Sequence, residues 1–134
     1  VMSKDSAHVF WVGDVKVLWI RNKEILFESK SHTLVNELAE NGNIVNNIER
    51  YRHVVTRSIS GSLKDGEIDY QFLTNLETED LILIFTDGIS DIMSSYQIAN
   101  IFSISSTKTQ GVETVKEFCQ QSSSDNFSMI AIEI

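Results

Sequence analysis

Apolar and polar positions along this chain fall into short runs whose periods separate strands from helices. His8-Val9-Phe10-Trp11-Val12 and Val15-Lys16-Val17-Leu18-Trp19-Ile20 are β-rich and broken by Gly13-Asp14, which predicts a hairpin or a sharp strand bend. Asn22-Lys23 divides the second run from Glu24-Ile25-Leu26-Phe27-Glu28, so a three-strand meander is the simplest beginning. From Thr33 the period changes: Leu34, Val35 and Leu38 share a helical face, Asn36, Glu37 and Glu40 lie opposite, and Gly42 stands where a left-handed cap would end a short helix. Val54 to Ser60 regains strand character after an Asn-rich polar stretch, and Gly61 and Gly66 mark a surface loop. Ile68 to Leu73 alternates like a half-buried strand, whereas Leu81-Ile82-Leu83-Ile84-Phe85 is apolar throughout, as in a central strand covered on both faces. Two amphipathic helices follow, one carrying Ile92, Met93, Tyr96, Ala99 and Ile101-Phe102, the other Val112, Val115, Phe118 and Cys119. Phe127 to Ile134 closes the chain as an alternating strand.

The pattern describes one α+β domain over residues 1–134, without internal repeat or linker, at a length that domains commonly have. With 42% hydrophobic and 22% charged residues, the chain is globular rather than disordered. It holds 11 Lys+Arg against 19 Asp+Glu, a formal net charge of −8. Nucleic acid and anionic membranes are therefore poor partners, and cations good ones. A single cysteine, Cys119, excludes an internal disulfide and a thiolate zinc site and favours a reducing compartment, the cytoplasm. The longest apolar run is too short to span a bilayer, and no signal-like segment opens the chain.

Four aspartates stand at structure breaks beside strongly apolar segments: Asp14, Asp87, Asp91 and Asp125. Singly, each is ordinary turn or capping chemistry. Together they are a candidate oxygen-ligand set for a hard divalent cation, because strand ends running into tight turns hold carboxylates at the rim of a sheet. Asp87 and Asp91, four apart across the start of a helix, can converge on one ion. His8, His32 and His53 are dispersed without ligand spacing and read as structural, and Cys119 reads as core.

Five segments, in order, resemble the C-terminal part of the metal-dependent Ser/Thr protein phosphatases of type 2C. Trp11-Val12-Gly13-Asp14-Val15-Lys16-Val17 resembles the family's Gly-Asp-Ser-Arg strand, His32-Thr33-Leu34-Val35-Asn36-Glu37-Leu38 its Asp-His-Ser-Leu-Val segment, and Val55-Thr56-Arg57-Ser58-Ile59 its Thr-Arg-Ser/Ala-Leu segment. Leu83 to Asp91 resembles Leu-x-x-Ser-Asp-Gly-Leu-x-Asp, and Ser124 to Ile130 resembles the Asp-Asn-Ile-Thr-Val-Ile ending. The resemblance implies part of an α/β/β/α sandwich, antiparallel sheets flanked by helices, with the N-terminal strands missing. It implies two or three Mg²⁺ or Mn²⁺ ions in the intact domain, with Asp87 and Asp125 at the second metal and Asp14 and Asp91 joining Asp87 at a third. It also implies a phosphoserine or phosphothreonine protein substrate.

Two departures leave the ligands intact: Val15-Lys16 replaces the family's Ser-Arg, and Ser31 stands before His32 where the family has Asp. A larger one concerns chemistry. The family's bridging Asp-Gly-x-Gly-Gly motif and its phosphate-binding Arg have no counterpart in these 134 residues, so no catalytic residue is assigned. The expectation is a phosphatase portion inactive by itself, whose parent domain hydrolyses phosphoprotein; the alternative is a non-catalytic pseudophosphatase or interaction module. Half a sandwich exposes apolar sheet, so self-association is expected around Phe10, Trp19 and Leu83.

Overall fold

A computed structural model describes residues 1–42, 48–51, 53–59 and 68–134. The expected loop at Gly61 and Gly66, and Ser60 at the end of the strand-like run, lie outside the described residues. Strand β1 (Ser6–Trp11) is followed by β2 (Lys16–Arg21) and β3 (Glu24–Glu28), which form a hairpin whose turn residues Asn22 and Lys23 both have positive φ, 47° and 77°. A tight turn with two left-handed residues matches the right-handed twist of the strands it joins. Helix α1 (Leu34–Glu40) runs as expected and is followed by Gly42 at φ +73°; α2 (Ile48–Tyr51) is a single turn.

The meander expected at the beginning is not formed. β1 does not pair with β2; it pairs antiparallel with β4 (Asp69–Thr74) in a separate two-stranded ribbon, Ser6 opposite Thr74 and Trp11 opposite Asp69. The chain changes sheets at Gly13, whose φ of +87° is a bend open to glycine at little cost, so of the two readings of Gly13-Asp14 the sharp bend holds. Val54 to Ile59 is likewise no strand: Val55 makes one isolated bridge to Thr33, and Ile59 is 76% exposed.

The larger sheet has the order β3-β2-β5-β6, antiparallel throughout, with β5 (Leu81–Phe85) in its interior and β6 (Met129–Glu133) at its edge. Because side chains alternate across a strand, the sheet has two distinct faces. Leu18, Ile20, Leu81, Leu83 and Phe85 face α4 (Ser95–Ile104) and α5 (Lys108–Ser122), whose Ile98, Ala99, Phe102, Val115 and Cys119 complete the main core. Both helices are capped at their starts: Ser94 and Gln97 form a reciprocal capping box on α4, and Thr107 Oγ1 accepts from Gln110 N–H on α5. The opposite sheet face, with Val17, Trp19 and Ile82, packs on Ala7, Leu73 and Leu76 of the ribbon side. The layers run ribbon, sheet, helices, an α+β arrangement. Leu83 is fully buried under the helices, which removes it from any exposed sheet surface, whereas Phe10 is 59% exposed on the outer face of the ribbon. No helix among the described residues is long and apolar enough to cross a membrane.

Candidate metal centre

β5 delivers its C-terminal end into a single helical turn, α3 (Asp87–Ser90), and that junction builds the site. Thr86 exchanges bonds with the start of β6: its N–H donates to Ser128 O (3.2 Å) and its Oγ1 accepts from Ser128 N–H (3.1 Å). Ser123 Oγ donates to Gly88 O (2.9 Å), which ties the 123–126 turn to the 87–88 turn. At Gly88 the two turns touch so closely that an added Cβ would collide with the Asn126 carbonyl oxygen and stand 3.0 Å from the carbonyl carbon. Asp87 and Asp125, separated in sequence by both long helices, become neighbours through these contacts.

The carboxylates perturb one another in the way a shared site requires. Burial first, then the charges of Asp14 and Asp125 and a hydrogen bond with Asp14, push the Asp87 carboxyl above its ordinary value, against the lowering effect of the Gly88 N–H, which donates to Asp87 Oδ1 (2.9 Å). Asp14, Asp87 and Asp125 therefore share one corner. Asp91 joins from the end of α3, where Asp87, Asp91 and His53 each offer a ligand atom within 4.8 Å of the others. His53 Nδ1 is 3.4 Å from Asp91 Oδ2. A cleft of about 570 Å³ opens between His53, Asp87, Asp91, Ile92 and the 123–125 turn.

All four aspartates singled out in the sequence are thus brought together. Carboxylates that repel one another at short range, in a cleft wide enough for hydrated ions, suit a hard divalent cation, which relieves the repulsion while filling its shell with oxygen. The donor set fits Mg²⁺ or Mn²⁺. His53 is the residue that sequence spacing missed: it lies on a connecting segment far from Asp87 along the chain, and only the fold brings its ring to the carboxylates. Cys119, by contrast, is fully buried, and desolvation pushes its thiol above the ordinary value, as befits a core residue.

No protein-family model and no curated protein sequence matches this chain. Solved structures do match. The S. agalactiae serine/threonine phosphatase superposes with a TM-score of 0.82 at 23% identity, over 97% of this chain and 54% of that one. The Mycobacterium tuberculosis serine/threonine phosphatase PstP/Ppp gives a TM-score of 0.85 at 19% identity, over 100% of this chain and 57% of that one. The catalytic domain of the serine/threonine protein phosphatase PstP in complex with two manganese ions gives 0.78 at 19%, over 98% and 54%. At these identities the likeness is one of fold: the chain has the α+β fold of these phosphatases and spans about half the length of the solved chains it matches.

Proposed function

We propose that this chain supplies the aspartate side of a metal-dependent phosphatase centre acting on phosphoserine and phosphothreonine in proteins. The convergence of Asp14, Asp87, Asp91 and Asp125 at one corner of the sheet carries this reading. Asp87 and Asp125 would hold one Mg²⁺ or Mn²⁺ ion, and Asp14 and Asp91 a further one shared with Asp87. When bound, a pair of ions about 3.5–4 Å apart lowers the pKa of water held between them and stabilises the entering and leaving oxygens of phosphoryl transfer. The residues of this chain fix the carboxylates on two turns locked to each other by Ser123 and Gly88, and the exposed side of the cleft leaves room for a phosphorylated side chain. His53 adds a nitrogen donor, which suits Mn²⁺ better than Mg²⁺.

Turnover is assigned to the assembled parent domain, since no Asp-Gly-x-Gly-Gly motif occurs in these residues. The same observation favours a second reading, a non-catalytic module that keeps the scaffold. Calorimetry with Mn²⁺ separates the two. The phosphatase reading expects binding that Asp87→Asn abolishes and His53→Ala weakens more for Mn²⁺ than for Mg²⁺, with little or no phosphate released from a phosphothreonine peptide by the chain alone. No binding at millimolar metal would overturn it. A cytoplasmic location is part of this reading, supported by the buried, unpaired Cys119.

A further inference from the structure

His32 is almost completely buried, 3% exposed, yet the metal centre described above does not use it. Its surroundings are specific. The His32 N–H donates to Gly13 O (2.7 Å), and the Gly13 N–H donates back to His32 Nδ1 (3.1 Å), so residue 32 grips both polar groups of the bend that carries Asp14. The neighbouring Ser31 Oγ donates to Asp14 O (3.2 Å). Because Nδ1 accepts, the neutral ring must carry its proton on Nε2. That Nε2 has no hydrogen-bond partner among the described residues, but lies 3.2 Å from Asp69 Oδ2. Asp69 is held in turn by Arg57 Nη1 (3.0 Å), and Arg57 Nε donates to Glu37 Oε1 (3.1 Å). A chain of charges thus runs from Glu37 on α1, through Arg57 and Asp69 at the head of β4, to the inner end of the imidazole, whose outer end holds the Asp14 bend.

We propose that His32 is the positioning residue for the Asp14 arm of the metal centre: set as its Nε2–H tautomer by the Gly13 N–H, with Nε2 facing the charge of Asp69, it holds the Gly13-Asp14 bend where the Asp14 carboxylate meets Asp87. The physical need is plain, because Gly13 sits at φ +87° on the four-residue link between sheets, and a carboxylate on such a link finds an ion only if the peptide before it is anchored. Groups of this kind behind a metal ligand typically change metal affinity by about 10–100-fold when removed. The proposal rests on the metal-centre reading.

The test uses the 134-residue chain with three variants, Mn²⁺ calorimetry, amide hydrogen exchange, and nitrogen-15 NMR of the imidazole. His32→Asn keeps an acceptor close to the position of Nδ1; His32→Gln, nearer to histidine in size, reaches towards Asp69 and loses that acceptor; His32→Ala loses both. The expected result is a protonated Nε2 in the native chain, Mn²⁺ affinity down about tenfold or more in the Ala and Gln variants, and recovery in the Asn variant to within about threefold. Protection of the Gly13 amide should follow the same order. Thermal melts report stability separately, so a filling role shows itself as Gln outperforming Asn. Native affinity in the Ala variant, equal loss in Asn and Gln, or a proton on Nδ1 would overturn the proposal while leaving the metal centre standing. Absence of Mn²⁺ binding in the native chain would instead remove the metal centre, and the positioning role with it.

Discussion

Gly88→Ala sets two known effects against each other at the metal centre. Gly88 lies in the one-turn helix α3 and its φ is not in the left-handed region, so alanine suits its backbone and by helix propensity alone would stabilise by up to about 1 kcal/mol. The new methyl, however, would overlap the Asn126 carbonyl oxygen and stand 3.2 Å from Phe127 Cβ. The obstacle is backbone and cannot rotate aside, so the 125–127 turn must retreat by roughly 1 Å to restore ordinary contact distances. Overpacking of this kind costs about 1–3 kcal/mol. The net loss is then about 0–3 kcal/mol, or up to about 12 °C in Tm at roughly 4 °C per kcal/mol for a chain this size. Metal binding should suffer more than stability, because the retreat carries Asp125 away from Asp87 and octahedral ions tolerate misplaced ligands poorly; a loss of about tenfold or more in Mn²⁺ affinity is expected. Calorimetry and a melting curve in chelator give both numbers. Gly42→Ala is the control, since an added Cβ there meets nothing within 4 Å and its cost comes from φ +73° alone. A Gly88→Ala chain with native Mn²⁺ affinity would refute the interlocked-turn account of the site.

Asp87 has a raised carboxyl value, so the folded chain keeps its proton over a pH window in which the unfolded chain has released it. Its ionisation therefore costs stability as pH rises through that window, and Asp87→Asn should raise the Tm of the chelated chain at pH 7, change it little at pH 3, and abolish the stabilisation that Mn²⁺ gives the native chain. Asp80 runs the opposite way. Its fully buried carboxylate accepts from Arg21 Nε (2.7 Å), Arg21 Nη2 (2.8 Å), Trp19 Nε1 (3.0 Å) and Glu77 N–H (2.9 Å), and Arg21 above all holds it below its ordinary value. The stability it confers is complete above the ordinary carboxylate value and is lost as pH falls below it; acid titration of the melting curve should show Asp80→Ala flattened there, and an unchanged acid limb would contradict the assignment. The outward aromatic side of the ribbon, with Phe10, Tyr70 and Phe72 each more than two-fifths exposed, is expected to drive self-association, and light scattering that shows a monodisperse monomer at high concentration would reject this.

The central strand was legible because Leu81 to Phe85 is apolar at every position, and the convergence of the aspartates because each stands at a structure break beside an apolar segment. What alternation cannot convey is which sheet a strand joins. His8 to Trp11 shows an inner and an outer face equally well beside β2 or beside β4, and the choice is made by the bend at Gly13 and by a partner strand far along the chain. Leu83 was misplaced for a related reason: an all-apolar strand does not say which face the helices cover. The fold settles this, since Leu83 pairs with Leu18 and packs with it beneath α4 and α5. His53 and the His32–Asp69 contact depend on loops meeting in space, for which residue spacing carries no signal.

Among the described residues the ribbon of β1 and β4 gains only a bridge from Met2 to Ala7 beyond its own pairing, and a two-stranded ribbon depends on packing, here against the larger sheet, for its stability. It should therefore be a separate cooperative opening unit, with amide exchange faster than in the four-stranded sheet. Asp69 is its first residue on β4 and the contact of His32 Nε2, so opening the ribbon also lets go of the Asp14 bend. Linkage then works in both directions. Under the proposed metal centre, anything that clamps the ribbon shut would raise metal affinity, and a bound ion would slow exchange in strands it never touches.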